Sequence, residues 1–288
     1  MADRLLICTD LDRTLIPNGP QSESPGARGH FARLVAHPQV TLAYVSGRHR
    51  ALVEQAISHY RLPLPDFVVG DVGTTIYHVG PQQDWRRQQA WEHEIAQDWA
   101  GHHHRELKDL LRGVAALRLQ EAVKQNIHKL SYYLPLHSNL EALEAEIQQR
   151  LQPQGIQARL IWSVDEPAGV GLLDVLPARA SKYHAIEALM QQQGFDTGTT
   201  VFCGDSGNDI EVLASPIPAV LVANSQPEVR QQARQLAEAG GHGAQLFIAQ
   251  GGFMGMNGNY SAGMLEGIAH YHPCSVAWMG FTIGERSA

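Results

Sequence analysis

The sequence predicts an α/β protein with a parallel sheet and an inserted second domain. Two observations carry this prediction. Short apolar runs alternate with amphipathic stretches along the chain, which is typical of β-α units around a buried parallel sheet. Between about Gly80 and Gly171 the composition becomes rich in Gln, His and Trp, which indicates a separate unit inserted into the first.

Four apolar runs are expected to form strands of the core, and each precedes an amphipathic stretch. The runs cover residues 5–9, 41–45, 200–203 and 220–222, and the stretches that follow cover residues 26–36, 51–60, 210–214 and 228–239. In open parallel sheets, ligands bind beyond the carboxyl ends of the strands. We therefore expect the functional residues directly after these runs.

The change in composition divides the chain into two predicted domains. These are a discontinuous core of residues 1–79 and 172–288 and an inserted α/β cap of residues 80–171. Gly and Pro interrupt regular structure, so Gly80-Pro81 and residues 166–169 are the expected hinges. Residues 172–176 are then expected to re-enter the core sheet.

The composition disfavours several classes of partner. The 288 residues include 22 Lys and Arg against 29 Asp and Glu, so the formal net charge is −7. This charge disfavours non-specific binding to nucleic acid or to an anionic membrane. We recognise no signal peptide or membrane-spanning stretch, and Cys8, Cys203 and Cys274 lack the spacing of a zinc site or a disulfide framework. We expect a cytoplasmic protein with neither nucleic acid nor membrane as a partner.

Two carboxylates follow the first predicted strand. Asp10 and Asp12 come directly after the apolar run Leu5-Leu6-Ile7-Cys8-Thr9. Carboxylates one residue apart at a strand end can take different roles, one attacking phosphorus and the other transferring protons. An Asp-rich turn without a catalytic role is the alternative.

A second acidic group follows the run at residues 200–203. Asp205, Asn208 and Asp209 lie in the segment Gly204-Asp205-Ser206-Gly207-Asn208-Asp209. Asp205 and Asp209 offer the hard oxygen ligands that Mg²⁺ prefers. A helix N-cap is the alternative, but it explains one Asp rather than several polar groups on one turn.

Two further residues are suited to binding a phosphate. Ser46 follows the run at residues 41–45, where its hydroxyl and the backbone N–H groups of a helix start can bind phosphate oxygens. Lys182 follows the run at residues 172–176, where its ammonium can neutralise a nucleophile and a phosphoryl group. Taken singly, an ordinary Ser N-cap and a solvated Lys are the alternatives.

In chain order, the four elements are those at Asp10, Ser46, Lys182 and Asp205, and the insert lies between the second and the third. Together they resemble the haloacid dehalogenase-like phosphatases with a type-II cap. The resemblance implies a Rossmann-like core, an α/β cap over the active site, an aspartyl-phosphate intermediate and an Mg²⁺ cofactor. By motif position, Asp10 is the implied nucleophile, and Asp12 protonates the leaving alcohol and then activates water. Ser46 and Lys182 are the implied catalytic residues that bind phosphoryl oxygens. The implied metal ligands are Asp10, the backbone carbonyl of Asp12, Asp205 and Asp209.

Within this superfamily the chain is most similar to the sucrose-phosphate phosphatase branch, from about Leu5 to about Tyr271. Segments that carry the likeness include Val72-Gly73-Thr74-Thr75-Ile76-Tyr77, Asn126-Ile127-His128-Lys129-Leu130-Ser131-Tyr132 and Asp174-Val175-Leu176-Pro177. The likeness implies a sugar-phosphate substrate, with sucrose 6-phosphate as the expected ester. The implied substrate-binding residues are Gly47, Arg48, Gly73, Thr74, Thr75, Asn126, Lys129 and Asn208.

Two positions depart from that branch. Thr75 stands where the branch commonly has an acidic residue facing the sugar, and Tyr183 stands where relatives usually have Gly. A carboxylate accepts hydrogen bonds from sugar hydroxyls more strongly than Thr does, so other esters stay open. These are a mannosylfructose phosphate, another glycosyl phosphate and a hexose phosphate. A phosphomutase and a non-catalytic sugar-phosphate-binding protein are further alternatives, and a sucrose-phosphate synthase-type enzyme is a candidate partner.

Overall fold

A computed structural model describes residues 4–82, 84–165 and 168–281. No helix within these ranges is long and apolar enough to cross a membrane. The strands are β1 (Leu5–Thr9), β2 (Val40–Val45), β3 (Phe67–Gly70), β4 (Thr75–Val79), β5 (Trp85–Arg87), β6 (Arg118–Leu119), β7 (Leu130–Leu134), β8 (Ala158–Asp165), β9 (Val170–Pro177), β10 (Thr200–Gly204), β11 (Ala219–Leu221) and β12 (Leu246–Ile248). The α-helices are α1 (Ala27–Val35), α2 (Arg50–Tyr60), α3 (Gln89–Ala96), α4 (His104–Leu110), α5 (Leu140–Leu151), α6 (Lys182–Gln193), α7 (Ile210–Leu213), α8 (Pro227–Ala239), α9 (Ser261–Tyr271) and α10 (Ser275–Trp278).

The larger sheet is mostly parallel, as the alternation of apolar runs predicted. Its strand order is β12-β11-β10-β1-β2-β3-β4-β5, with parallel pairing from β12 to β3 and antiparallel pairing of β4 and β5. All five residues of β1 are buried, because Leu5 and Ile7 pack on one face of the sheet and Leu6 and Cys8 on the other. Burial on both faces explains why β1 is a continuous apolar run.

Helices cover both faces of this sheet. Phe31 of α1 and Leu265 of α9 pack in the same apolar cluster as Ile7, whereas Ile186 of α6 packs in the cluster that contains Leu6. This arrangement confirms the predicted α/β core. It also places the carboxyl ends of β1, β2 and β10 side by side at one edge of the sheet.

The smaller sheet belongs to the inserted cap and is antiparallel. Its strand order is β6-β7-β9-β8. Tyr132 and Leu173 pack into the cap's own apolar cluster with residues of α4 and α5. Ser131 and Asp174 alternate with them along β7 and β9, so they occupy the opposite face of the sheet.

The expected return of residues 172–176 to the core sheet is wrong. These residues lie in β9, where Leu173 pairs with Tyr132 of β7 and with Trp162 of β8. The residues of β9 alternate between buried and half-buried positions from Val170 to Asp174, which is typical of an antiparallel strand with one polar face. A central parallel strand is buried on both faces instead.

The two expected hinges each lie between two strands that pair with each other. The Gly80 N–H donates to the Asp84 carbonyl at 3.0 Å, in the turn between β4 and β5 of the larger sheet. Residues 166–169 lie between β8 and β9, which pair with each other, and residues 166 and 167 lie outside the described ranges. Because Trp91 of α3 also packs in a core cluster, we propose that the cap extends from after α3 to the end of β9, rather than over residues 80–171.

Candidate active site

The predicted catalytic residues meet at the carboxyl edge of the larger sheet. Asp10 directly follows β1, Ser46 follows β2 and Asp205 follows β10, and these strands are neighbours in the sheet. Lys182 is the first residue of α6, which begins at the N-cap residue Ser181. The parallel register therefore brings together side chains from distant parts of the chain.

Asp10 is a buried carboxylate. It is 5% exposed, and its Oδ1 accepts a hydrogen bond from Lys182 Nζ at 2.8 Å. Burial is the main cause that raises the pKa of Asp10 to about 8; Lys182 opposes the rise, and Asp209 and Asp205 add to it. Asp10 therefore needs positive charge beyond that of Lys182 to be fully ionised near neutral pH.

Lys182 is the buried cation of the site. It is 2% exposed, and Nζ donates to Asp10 Oδ1 at 2.8 Å, Asp209 Oδ1 at 2.7 Å and Asn208 Oδ1 at 3.1 Å. Burial lowers the pKa of Lys182, but Asp10 and Asp209 outweigh burial and the net pKa lies above its ordinary value. The ammonium is therefore charged and held by three acceptors.

The turn after β10 fixes the second pair of carboxylates. Asp209 Oδ2 accepts from the backbone N–H groups of Asp205 at 3.1 Å and Ser206 at 3.2 Å. Gly204 permits this approach, because a Cβ at that position would lie 2.6 Å from Asp209 Oδ2. Asp205 accepts from the Thr14 hydroxyl at 3.2 Å, and its pKa is raised to about 7, mainly by burial and then by Asp209.

The three buried carboxylates fit a divalent cation. One ligand oxygen each of Asp10, Asp205 and Asp209 lies within 4.8 Å of the others. Carboxylate oxygens are the ligands that Mg²⁺ prefers, and burial, together with the neighbouring carboxylates, raises the pKa of both Asp10 and Asp205, so a bound cation would favour their ionised forms. The Asp12 carboxylate is not part of this cluster, so its backbone carbonyl is the atom that stays a predicted ligand.

Asp12 is held by Arg48. The guanidinium donates from Nε to Asp12 Oδ2 at 2.7 Å and from Nη2 to Oδ1 at 2.6 Å, and Asn18 Nδ2 donates to Oδ1 at 2.7 Å. Burial raises the pKa of Asp12, but the hydrogen bonds and charge of Arg48, together with Asn18, outweigh burial and lower the pKa below its ordinary value. Asp12 is therefore ionised in this arrangement.

Ser46 lies between two loops of the core. It is 1% exposed, and its hydroxyl accepts from the Arg48 backbone N–H at 3.2 Å. Its backbone N–H donates to the Val69 carbonyl at 2.8 Å, and its carbonyl accepts from the Val72 N–H at 3.2 Å. These bonds hold the Ser46 hydroxyl beside the exposed backbone of Gly47, where a phosphate can bind.

A cleft of about 430 Å³ lies between core and cap. Gly47, Arg48, Lys129 and Asn208 line it, with the predicted catalytic or metal residues Asp10, Asp12, Ser46 and Asp205. Among the described residues, four other predicted substrate-binding residues are absent from this lining: Gly73, Thr74, Thr75 and Asn126. Thr75 is buried in β4, 2% exposed, and the Asn126 amide donates to the Thr74 hydroxyl at 2.9 Å.

Sequence reasoning missed several residues of the cleft, namely Arg13, Gln120, Lys124 and Asp174. Asp174 accepts a hydrogen bond from the Ser131 hydroxyl and lies 3.6 Å from Lys129 Nζ. Its position in the sequence carried a usable signal. An Asp between Leu173 and Val175 in a strand is on the face opposite to those apolar side chains, so it predicts a polar surface there.

Comparisons with known proteins identify the family of this chain. The family model for sucrose-6F-phosphate phosphohydrolase matches residues 3–272. The chain belongs to this family. A protein of Nitrosococcus oceani named putative HAD-like hydrolase is 56% identical over 280 residues, which are 97% of this chain and 75% of that protein. The family and its haloacid dehalogenase-like fold are therefore confirmed.

Two further proteins similar to this chain are named for the sugar compounds that they act on. The X-ray structure of sucrose-phosphatase from Synechocystis sp. PCC6803, in complex with sucrose and phosphate, is 27% identical, with a TM-score of 0.73 over 93% of this chain and 98% of that chain. Mannosylfructose-phosphate phosphatase of Agrobacterium fabrum is 29% identical over 80% of this chain and 87% of that protein.

Other relatives in the comparison are longer than this chain. The match covers 52% of sucrose-phosphatase 1 of Nicotiana tabacum, which is 27% identical over 80% of this chain. It covers 32% of glucosylglycerol-phosphate synthase of Pseudomonas anguilliseptica, which is 26% identical over 88% of this chain. The chain therefore spans about half or less of these proteins.

Proposed function

We propose that this phosphatase-family protein is an Mg²⁺-dependent phosphomonoesterase that hydrolyses sucrose 6-phosphate to sucrose and phosphate. The observation that carries the proposal is the buried cluster of Asp10, Asp205 and Asp209, with Lys182 bridging Asp10 and Asp209. Phosphoryl transfer requires an aligned nucleophile and neutralised charge, and this cluster offers both. Family membership supports the reaction class, and the relative with bound sucrose and phosphate supports the substrate.

Asp10 is the proposed nucleophile. One of its carboxylate oxygens attacks phosphorus, the bond between phosphorus and the sugar oxygen breaks, and an aspartyl phosphate forms. Lys182 contacts the same carboxylate at 2.8 Å, so it both orients Asp10 and offsets its charge. Ser46 and the backbone of Gly47 hold the phosphoryl oxygens, in the proposed arrangement.

Asp12 is the proposed acid and base. In its acid form it gives its proton to the leaving sugar oxygen, and the resulting carboxylate takes a proton from the attacking water. That water breaks the bond between phosphorus and Asp10, and phosphate leaves. Because Arg48 stabilises the carboxylate of Asp12, Asp12 must take up a proton from solvent before the first step, once substrate has separated the pair and left Arg48 free to bind substrate.

Asp205, Asp209 and the Asp12 carbonyl complete the proposed metal site with Asp10. Mg²⁺ bound there supplies positive charge to the phosphoryl group and to the Asp10 carboxylate. Asp209 keeps its orientation through the backbone N–H groups of Asp205 and Ser206. The site is therefore preorganised by the turn after β10.

The cap side of the cleft supports a sugar ester. Gln120, Lys124, Lys129 and Asp174 line it with amide, ammonium and carboxylate groups. A polar ligand compensates for its lost hydration only when its hydroxyls are paired, and these groups offer donors and acceptors. We propose that Asp174 supplies the carboxylate that the branch commonly has in place of Thr75.

A mannosylfructose phosphate is the second candidate substrate, and the Agrobacterium fabrum relative supports it.

The match to part of a glucosylglycerol-phosphate synthase supports a further proposal, that the chain associates with a sucrose-phosphate synthase-type enzyme. Co-purification of this chain with such a synthase tests that association. A phosphomutase remains distinguishable by its product, because it returns the phosphoryl group to sugar.

A substrate panel tests the proposed function. Phosphate release is measured from sucrose 6-phosphate, a mannosylfructose phosphate, glucose 6-phosphate and fructose 6-phosphate, each with Mg²⁺ and with a chelator. We expect the highest kcat/KM for sucrose 6-phosphate and no turnover in chelator. Equal rates on the simple hexose phosphates contradict the proposed substrate, and isomerised sugar phosphate without free phosphate contradicts hydrolysis.

A further inference from the structure

The turn between β3 and β4, residues 71–74, supports the backbone of the proposed phosphate-binding loop. The Asp71 N–H donates to the Arg48 carbonyl at 3.1 Å, and the Val72 N–H donates to the Ser46 carbonyl at 3.2 Å. These are main-chain bonds, so a shift of the turn moves the loop that carries the Ser46 hydroxyl.

The same turn supports the start of the Lys182 helix. A Cβ on Gly73 would lie 2.4 Å from the carbonyl carbon and oxygen of Ser181 and 2.9 Å from the backbone N of Lys182. The backbone of the turn therefore packs against α6 with no space between them. The position of this turn sets where α6 begins. It therefore also sets where the Lys182 ammonium meets Asp10.

This turn has a strained backbone that its surroundings must hold. Asp71, Val72 and Gly73 have φ values of 52°, 61° and 94°, all in the left-handed region. For a non-glycine residue, and most of all for a β-branched one such as Val72, this conformation is unfavourable. Contacts that stabilise the turn therefore have a direct effect on its geometry.

The cap supplies two of these contacts. Asn126 Nδ2 donates to the Thr74 hydroxyl at 2.9 Å, and Thr74 in turn donates to the Asp71 carbonyl at 3.0 Å. Lys129 Nζ lies 4.0 Å from Asp71 Oδ1. Thr74 is 1% exposed and, in the part of the chain that the structure describes, neither Asn126 nor Thr74 lines the cleft.

We infer that Asn126 is a positioning residue for the phosphate site, which couples the cap through Thr74 to the turn that sets Ser46 and Lys182. The inference deepens the proposed function and rests on it. This positioning role takes the place of the direct sugar contact that the resemblance implied for Asn126. Lys129, in contrast, lines the cleft. The cap then influences the phosphoryl chemistry through a side-chain hydrogen bond as well as through its contacts with the sugar.

A double-mutant cycle tests this coupling. Asn126→Ala and Thr74→Val each remove one partner of the hydrogen bond, and we expect each to lower kcat about fivefold and to weaken binding of inorganic phosphate by a similar factor. The two losses are expected to be less than additive in the double variant, because both substitutions remove the same Asn126–Thr74 hydrogen bond, while Thr74→Val also removes the bond from Thr74 to the Asp71 carbonyl. Phosphate binding is measured by calorimetry in the presence of Mg²⁺, and thermal melts report the fold.

The phosphate probe separates positioning from sugar recognition. If Asn126→Ala raises KM for the sugar phosphate, while both variants bind phosphate as the wild type does, the inference is overturned.

Ile127→Ala is the matched control, since Ile127 lies in the same cap segment and is 49% exposed, and it should behave as wild type. A wild-type protein that binds phosphate but releases none from any ester contradicts the proposed function alone, since the binding comparison still tests the coupling. A wild-type protein that does neither overturns both.

Discussion

The Arg48 guanidinium donates hydrogen bonds to both carboxylate oxygens of Asp12, to Oδ2 at 2.7 Å and to Oδ1 at 2.6 Å. Asp12 lies two residues after Asp10, the proposed nucleophile. This bidentate pair keeps Asp12 ionised before substrate arrives. The proposed chemistry requires the acid form of Asp12 in its first half and the carboxylate in its second. In the proposed mechanism, Arg48 therefore controls when Asp12 can donate a proton.

Arg48→Gln is expected to raise the pKa of Asp12. The substitution removes the guanidinium charge and the paired hydrogen bonds, while burial, which acts in the opposite direction, remains. The carboxyl resonance of Asp12, assigned with Asp12→Asn and followed by ¹³C NMR titration, measures this change. Arg48→Lys keeps the charge without the planar fork. In this variant the pKa of Asp12 should lie between its values in the wild type and in Arg48→Gln. An unchanged pKa in Arg48→Gln contradicts the role of Arg48.

Gly73→Ala is expected to damage the site more than its backbone strain explains. The new methyl would lie 2.4 Å from Ser181 and displace the start of the Lys182 helix. Gly101→Ala is the matched control, because Gly101 has a φ of +84° against +94° for Gly73 but nothing within 4 Å. We expect a loss of about 1 kcal/mol in unfolding free energy for Gly101→Ala, and about 1–3 kcal/mol more for Gly73→Ala. Denaturant unfolding measures both losses, and kcat should fall at least about tenfold for Gly73→Ala alone.

Asp174→Asn is expected to weaken sugar binding and to leave phosphate binding unchanged. Asp174 lines the cap side of the cleft, and its carboxylate accepts hydrogen bonds more strongly than an amide does. We expect KM for sucrose 6-phosphate to rise about tenfold, since a charge-assisted hydrogen bond contributes about 1.5–3 kcal/mol. Calorimetry with inorganic phosphate provides the comparison. A normal KM would show that Asp174 only orients Ser131 and Lys129.

Stabilisation by Mg²⁺ is expected to grow with pH. The pKa of Asp10 is raised to about 8 and that of Asp205 to about 7, so without metal the folded state binds more protons than the unfolded state between about pH 4 and pH 8. The unfolding free energy of the metal-free protein therefore falls as pH rises through this window. Mg²⁺ must displace these protons, so it binds more tightly at pH 8 than at pH 5.5. The rise in Tm between chelator and Mg²⁺ should be larger at pH 8, and an equal rise at both values contradicts the assignment of these ligands.

The strand-end residues could be predicted from the sequence because the signal is local. Strand β1 ends directly before Asp10 and β10 ends directly before Asp205, and parallel strands present their carboxyl ends at one edge. The pairing of Arg48 with Asp12 could not be predicted in the same way. It depends on the relative placement of two loops that follow different strands.

The assignment of β9 failed for a related reason. A run such as Leu172-Leu173-Asp174-Val175-Leu176 indicates a strand, but it does not indicate which sheet the strand joins. Pairing with β7 and β8 decided that, and pairing is a long-range choice. The strained turn at residues 71–74 was equally hidden, because Val72 is β-branched and such residues rarely adopt the left-handed region.

Trapping of the acyl phosphate tests the central claim, that Asp10 is the nucleophile, most directly. Enzyme in excess over sucrose 6-phosphate is quenched in acid within one turnover, and borohydride then reduces any acyl phosphate to the corresponding alcohol. Peptide mass spectrometry should find homoserine at position 10 in the wild type, and Asp10→Asn should give neither homoserine nor free phosphate. An Asp10→Asn variant that turns over at the wild-type rate, or an acyl phosphate on a different residue, would contradict the account.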